Sequence, residues 1–274
     1  MAFISFQPSD NYNTKLYTGT GVSNAVTGVG FQPDLTWIKS RDSTYSHNLT
    51  DAVRGATKYL ESNATTTETT NAESLKSFDS DGFTVGTLVN VNSNTDKMVS
   101  WNWKAGTTTG IAGSPSITPT AYSFNATSGF SIITYTGTGS VATLPHGLGV
   151  APDCIIVKKL SGTGNWLTYL NIWLMQNTKA MNVNSTSAGG TYATAWNSTT
   201  PTSTLFTLGS ESDVNATGAT YVAYCFANKK GFFHTGEYRG NGSATQPPCI
   251  FTGFRPGFVM FKACLLYTSD AADE

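Results

Sequence analysis

The feature that most constrains this chain is an internal repeat. The sequence YTGTG at residues 17–21 returns unchanged at residues 135–139. GVGFQPDLTWIK at 28–39 has a counterpart in GLGVAPDCIIVK at 147–158. The copies lie roughly 120 residues apart, which is the length of one small domain. A chain that repeats itself at this spacing is expected to build similar domains in series.

Later parts of the two copies also match, for example FTVG at 83–86 with FTLG at 206–209. A third copy begins with YRGNG at 238–242 and continues as FTGFRPGFVMFK at 251–262. Since the second and third copies are joined with almost no spacer, we expect a stiff second junction and a looser first one. The predicted segments are an N-terminal lead-in at 1–12, a first repeat at 13–105, a Thr/Ser/Gly/Pro-rich linker at 106–128, a second repeat at 129–230, the truncated start of a third at 231–263, and a terminal segment at 264–274.

Composition and patterning indicate β-structure. Charged residues make up only 12% of the chain, while aromatic residues also reach 12%, a balance opposite to that of disordered proteins. Short alternating runs at 35–40 and 97–104 predict strands, and Arg54-Gly55 and the DSDG sequence at 79–82 predict turns. No stretch carries a helical period with caps. We therefore predict an all-β fold with little helix, built from tandem antiparallel β-sandwiches of concanavalin or jelly-roll type.

The last eleven residues, CLLYTSDAADE at 264–274, differ in character from the rest. Codon by codon they fit a translated sequencing-library adapter. We expect this segment to be an artefact, the chain to be a fragment from environmental or draft sequencing, and its third repeat to be cut short. A short acidic tail is the alternative interpretation.

Charge and cysteine content argue against several classes of protein. The net charge is −1 and the Lys and Arg residues are scattered, so no nucleic-acid-binding surface is expected. No apolar run is long enough to insert into a membrane. The start, MAFISFQPSD, lacks the features of a secretory signal. The four cysteines form no CxxC pair and no zinc-like group with histidine. Cys154 and Cys225 lie in apolar, strand-like runs, so we expect these two to be buried free thiols.

The candidate catalytic groups each have a simpler structural interpretation. Asp34 and Asp153 occupy equivalent positions and could suggest a carboxylate pair, but the third copy has Gly257 there. A turn position that tolerates Asp or Gly is the preferred interpretation. Three histidines, none of them near a cysteine or carboxylate at a motif spacing, are His47, His146 and His234.

Other motifs are weaker still. Asp51 and Arg54 are expected to pair across a turn, and the sequence around Asp79 resembles a calcium loop that lacks its remaining ligands. Trp101 and Trp103 point to one face of a strand; core packing is favoured there over a sugar-stacking platform. We predict no catalytic residues, no cofactor-binding residues and no metal site, and we assign no ligand-binding residues.

Several long motifs carry a family resemblance. GVGFQPDLTWIKSRDSTYSHNLTDAVRGATKYLESNATTTE, SFDSDGFTVG and MVSWNWKAG in the first copy resemble a repeated domain of unknown function. HGLGVAPDCIIVKK, TYVAYCFANKKGFF and YRGNGSATQPPCIFTGFRPGFVMFK resemble its companion repeat. That domain occurs in structural and tail-region proteins of marine tailed bacteriophages and in ocean metagenomes. One departure from the family pattern is the sequence WLMQN at 173–177, which indicates a contact face or a local frame error.

The resemblance implies a non-enzymatic virion structural protein, associated with a tail or fibre and made in the host cytoplasm without a signal peptide. Its expected partners are other virion proteins and a host-surface glycan, and a homotrimeric fibre is suggested by analogy alone. The resemblance supplies no cofactor and no catalytic residues. Two alternatives stay open: the carbohydrate-binding portion of a truncated capsule-degrading enzyme, and a bacterial surface adhesin.

Overall fold

A computed structural model of the chain describes residues 7–243 and 245–263. Every strand pairing within these residues is antiparallel. Helix in the same residues is limited to a 3-10 turn and two four-residue helices, α1 (Val89–Asn92) and α2 (Ser212–Asn215). The predicted all-β class with little helix is therefore confirmed. No helix in the described part of the chain has the length and apolar character needed to cross a membrane.

The strands fall into two series of nine. The first series is β1 (Tyr12–Thr18), β2 (Asn24–Thr27), β3 (Leu35–Ser40), β4 (Asn48–Asp51), β5 (Lys58–Tyr59), β6 (Thr69–Thr70), β7 (Leu75–Asp79), β8 (Gly82–Val85) and β9 (Lys97–Trp103). The second is β10 (Ala121–Asn125), β11 (Phe130–Thr136), β12 (Ala142–Pro145), β13 (Cys154–Lys159), β14 (Trp166–Leu170), β15 (Lys179–Asn182), β16 (Gly190–Thr191), β17 (Leu205–Leu208) and β18 (Thr220–Phe226).

The sheet order repeats as the sequence does. One large sheet has the order β1-β9-β3-β4, and the other contains β11-β18-β13-β14 in the same relative places, extended by β10 at one edge and by β15 and β16 at the other. Small sheets, β2-β8-β7 in the first half and β12-β17 in the second, complete each half. The DSDG sequence forms the predicted turn, since Asp79 pairs with Gly82 between β7 and β8. This correspondence supports the predicted repeats, while their domain boundaries stay a prediction.

Three large hydrophobic cores lie between the sheets of the described residues, and a small fourth cluster lies under the loop after β14. In the first half, Ile38 of β3 packs with Phe83 of β8, and in the second half Tyr135 of β11 packs with Phe206 of β17. The third core joins the two large sheets face to face. This core holds side chains from both halves: Leu35, Leu49, Leu60, Trp103 and Ala105 from the first, and Phe130, Ile132, Cys154, Ile156, Trp166, Val222, Tyr224 and Phe226 from the second.

The two halves use equivalent faces for this contact. Leu35 pairs with Trp103 across β3 and β9, and Cys154 pairs with Phe226 at the same register across β13 and β18. All four side chains belong to the shared core, and the rings of Trp103 and Phe226 lie 6.3 Å apart. Because both strands of each pair carry apolar side chains on both faces, each large sheet is buried from two sides.

The segment 106–128, predicted as a linker, is more ordered than that prediction implied. It contains β10, which pairs with β11 along five residues. Thr107 forms a bridge with Phe124, and Ile117 is buried and donates its N–H to the carbonyl of Thr143. The strands of this protein share the Thr- and Ser-rich composition of the segment, so composition could not separate the two.

The repeated YTGTG sequence fastens each half to its short helix. In the first copy the Tyr17 hydroxyl donates to the carbonyl of Val91 at 2.6 Å. The buried Asn92 side chain accepts the Thr20 N–H at 2.8 Å and donates to two carbonyls. A Cβ at position 19 would overlap the Ser93 carbonyl oxygen, which explains the glycine there. The motif is therefore a packing device.

The second copy reproduces these contacts. The Tyr135 hydroxyl donates to Val214 O at 2.6 Å, and Asn215 accepts the N–H of Thr138 at 2.8 Å. Asn215 also donates to the carbonyls of Ser140 and Gly209, each at 2.7 Å. Equivalent Tyr and Asn side chains therefore attach the short helix to the YTGTG sequence in each half.

The described part of the predicted third copy, 231–243 and 245–263, contains no strand. It forms one bridge, between Lys229 and Phe233. Phe258 packs against three tryptophans of the first half, with ring centroids 5.3–5.8 Å away; they are Trp37, Trp101 and Trp103. Phe258 thus covers one edge of the shared core.

Candidate functional site

An aspartate stands at the same structural position in each half. The Asp34 carbonyl accepts the N–H of Ala52 at 2.8 Å, and its carboxylate accepts the N–H of Ala105 at 2.8 Å. Asp153 does the same with Asn171 and Asn228, again at 2.8 Å each. Asp34 therefore links the segment after β9 to the loop after β4, and Asp153 links the segment after β18 to the loop after β14. This specific role explains the two aspartates better than a tolerant turn position does.

The loop after β14, residues 171–178, is stabilised by hydrogen bonds of its backbone and by two buried side chains. Ile172 accepts N–H groups from Met175 and Gln176, which closes a tight turn. Ile172 and Met175 are buried together with Met181. The Asn171 amide also donates to the Asp153 carboxylate at 3.0 Å. The backbone of this loop is hydrogen-bonded at its start by Asn171 N–H to Asp153 O and at its end by Tyr192 N–H to Thr178 O.

The side chain of Trp173 projects from this anchored loop and is 77% exposed. It borders an open cleft of about 350 Å³, which we call the Trp173 cleft; the lining residues are Tyr169, Asn171, Ile172, Trp173, Gln176, Asn177 and Thr200. Large aromatic side chains exposed on a rigid surface are typical of binding sites, because burial of the ring on contact supplies much of the binding energy.

The Trp173 cleft combines one aromatic ring with neutral polar groups. Asn171, Gln176 and Asn177 carry amides that can both donate and accept hydrogen bonds, and Thr200 carries a hydroxyl. The Asn177 amide already donates to the Thr200 hydroxyl at 3.0 Å. No lining residue is charged. The cleft is therefore suited to a neutral ligand that has many hydroxyl groups and an apolar face.

The backbone at Gln176 adds a second unusual feature. Its φ angle is 29°, in the left-handed region that side-chain-bearing residues seldom adopt. Such conformations cost about 1–3 kcal/mol and gather at ligand-binding positions. The strain at Gln176 is held in place by the buried Ile172 and Met175. It places an exposed amide side chain beside the Trp173 cleft.

In the first half, the third residue after β4 is Arg54, which stands where Trp173 stands after β14, and it turns inward. Its Nε lies 2.6 Å from an Asp51 carboxylate oxygen, confirming the predicted pair. Its Nη1 lies 3.0 Å from Glu68. The Tyr224 hydroxyl, from the opposite sheet, donates to the same Asp51 carboxylate at 2.7 Å. This buried network joins the two halves and engages the carboxylate of Asp51 in structural contacts.

The histidines take structural positions. His146 is fully buried; its Nδ1 accepts the N–H of Leu148, and its Nε2 donates to Thr202 O at 3.1 Å. Burial lowers the pKa of His146 to about 4. His47 accepts the indole N–H of Trp37 at 2.9 Å, and burial, with a smaller contribution from Lys39, lowers its pKa. The exposed His234 lies in the segment after β18.

The weak calcium-like sequence also has a structural use. Asp79 accepts the hydroxyls of Ser77 and Thr84, each at 2.8 Å. Asp81 accepts the backbone N–H groups of Gly28 and Gly30, at 2.9 and 2.7 Å. Among the residues that the structure describes, no group of three His, Cys, Asp or Glu side chains is arranged to hold a metal ion.

Trp101 and Trp103 lie on one face of β9, as predicted, since both contact Phe258. Trp103 is buried in the shared core, and Trp101 is half-buried beside Trp37. These rings are packed against protein. Cys154 and Cys225 are buried free thiols, as expected, and burial raises the pKa of Cys154 to about 12.

Comparison with protein families places the chain. Residues 7–270 match the family designated DUF7483, a domain of unknown function, and the chain belongs to this family. No curated protein matches it, and no solved structure does.

Proposed function

We propose that this member of the DUF7483 family is a non-catalytic binding protein of a phage virion, associated with the tail or fibre. Its ligand is a neutral glycan of the host surface, bound at the Trp173 cleft. The virion placement and the partnership with other virion proteins rest on the sequence motifs quoted above. The glycan rests on the cleft itself.

One observation carries the ligand: an exposed indole beside three amide side chains, on a loop that packs on the buried Ile172 and Met175. A sugar ring has an apolar face of C–H groups that packs well against an aromatic ring. Its hydroxyl groups match amides, which donate and accept equally well. A shallow, open cleft suits a chain that continues in both directions along a surface.

The non-catalytic part of the proposal is supported by what the buried carboxylates do. Glycoside hydrolysis requires two carboxyl groups that flank the sugar. Asp51 is fully buried and engaged by Arg54 and Tyr224, and Asp34 bonds to Ala105 and Ser123. The Trp173 cleft is lined by no carboxylate.

The test compares three purified proteins, the wild-type chain and two variants, on an array of neutral and acidic oligosaccharides. We expect the wild type to bind neutral members and Trp173→Ala to bind them at least tenfold more weakly. Phe251→Ala removes another highly exposed ring, from outside the cleft, and should bind as the wild type does. Equal binding by Trp173→Ala and the wild type, or binding of acidic sugars alone, would refute the assigned site.

The virion placement has a separate test. Mass spectrometry of purified particles and of host cell envelopes should find peptides of this chain in the particles. Peptides confined to the envelope fraction would favour the adhesin alternative instead.

A further inference from the structure

We infer that a second glycan-binding cleft lies where the loop after β4 faces β10, with the loop after β4 in the place that the loop after β14 has in the Trp173 cleft, so that one chain binds two sugar chains. This inference rests on the proposed glycan-binding function and extends it from one site to two. The second cleft, which we call the Asp34 cleft, has a volume of about 420 Å³. Its lining includes Asp34, Ala52, Val53, Thr108, Tyr122 and Ser123.

The two clefts open at equivalent places in the fold. Ala52 and Val53 are the first residues after β4, and Asn171 and Ile172 are the first residues after β14. Both pairs line their clefts. The N–H of Ala52 and the N–H of Asn171 each donate, at 2.8 Å, to the carbonyl of the aspartate that precedes the neighbouring strand. The repeated framework therefore creates a cleft at this edge of each large sheet.

The walls of the two clefts come from different parts of the chain, but each wall supplies an aromatic side chain and polar side chains. In the second half the wall is the anchored 171–178 loop. At the Asp34 cleft it is β10, an edge strand of the second large sheet, and the segment before it, which supply Thr108, Thr120, Tyr122 and Ser123. Each cleft thus offers an aromatic side chain, the exposed Trp173 or the half-buried Tyr122 that packs on the core of the second half. The other hydrogen-bonding groups are neutral apart from the Asp34 carboxylate, and this combination can recognise a hydroxyl-rich ligand.

The Asp34 carboxylate fixes the charge preference of its cleft. One oxygen accepts the Ala105 N–H at 2.8 Å and the other accepts the Ser123 hydroxyl at 3.3 Å. Burial raises the pKa of Asp34. No lysine or arginine lines this cleft, so its lining offers no cation to an anionic sugar. A neutral oligosaccharide is the class that fits both clefts.

The test counts sites on the full chain. Isothermal titration with cellohexaose, maltohexaose and chitohexaose should give two sites per chain for at least one sugar. Thr108 is exposed and lines the Asp34 cleft, so Thr108→Arg should fill that cleft without disturbing the core and leave one site. Thr109→Arg adds the same side chain at the next exposed position, outside the lining, and should keep two. Trp173→Ala should keep one, and the double variant none.

A second readout uses bivalence directly. Beads are coated with whichever of the three hexasaccharides binds in the titration. The wild type should cross-link these beads, while Trp173→Ala and Thr108→Arg should each bind to the beads without cross-linking them. One site in the wild type that disappears with Trp173→Ala would overturn the second cleft and leave the proposed function standing. A wild type that binds none of the three sugars would overturn both, and two sites retained in Thr108→Arg would overturn the Asp34 cleft alone.

Discussion

Replacing Tyr224 with Phe should separate the contribution of the network between the halves from that of ordinary packing. The Tyr224 hydroxyl donates at 2.7 Å to the carboxylate of Asp51, the partner of Arg54 in a salt bridge, and lies 3.4 Å from Arg54. The phenylalanine ring refills the space, so no cavity forms. Asp51 keeps its 2.6 Å contact with Arg54.

The expected cost follows from the kind of bond that is lost. A buried hydrogen bond to a charged group contributes about 1.5–3 kcal/mol, against about 0.5–1.5 kcal/mol for a neutral pair. We therefore expect Tyr224→Phe to lower the free energy of unfolding by about 1.5–3 kcal/mol. Urea-induced unfolding, followed by tryptophan fluorescence and circular dichroism, measures this change.

The matched control is Tyr135→Phe, which removes a hydroxyl of the same kind from the adjoining strand β11. That hydroxyl donates to a neutral carbonyl, Val214 O, inside the second half. Its loss should cost about 0.5–1.5 kcal/mol. A loss for Tyr224→Phe equal to or smaller than that for Tyr135→Phe would show that the contact between the halves contributes no more than a neutral bond.

Two further predictions concern the repeated motif and pH. Gly19→Ala places a Cβ against the Ser93 carbonyl oxygen and should lower the free energy of unfolding by about 1–3 kcal/mol. The control Gly240→Ala has open space around the new Cβ and should leave the urea midpoint unchanged. Equal urea midpoints for the two variants would contradict the packing role of Gly19. His146 has a folded-state pKa of about 4, below its ordinary value of 6.5, so the unfolded chain binds a proton that the folded chain refuses and stability should fall as pH drops from 6.5 to 4. His146→Gln should show a smaller fall across that window in urea titrations, and an unchanged fall would assign the acid sensitivity to other groups.

Much of the fold could be predicted from local pattern. The strands around Trp37 and Trp101 follow from alternation, and the β7–β8 hairpin follows from its turn sequence. The partner of each buried face could not be predicted in the same way. Leu35 and Ile38 lie on opposite faces of β3 and both are buried, a pattern that indicates a sheet covered on two sides without naming what covers it.

The candidate site was visible in the sequence only as an anomaly. The WLMQN sequence departed from the family pattern, and this departure indicated either a contact face or a local frame error. Its exposure depends on Ile172 and Met175 being buried beneath it, which is a consequence of tertiary packing. No local sequence pattern predicted the Asp34 cleft, because one wall is formed by β10, which lies inside the segment predicted as a linker.

The face-to-face contact between equivalent surfaces resembles that of a two-fold symmetric dimer whose subunits have been fused. In a true homodimer every residue at the contact occurs twice, so a substitution must suit both sides at once. When both sides of the contact belong to one chain, a residue on one side can differ from its counterpart on the other. Asp51 meets Tyr224 on one side only, because the register places Leu170 and Trp101 at the equivalent positions. Because the two copies differ at these positions, the loop after β4 holds the halves together through Arg54, while the loop after β14 exposes Trp173.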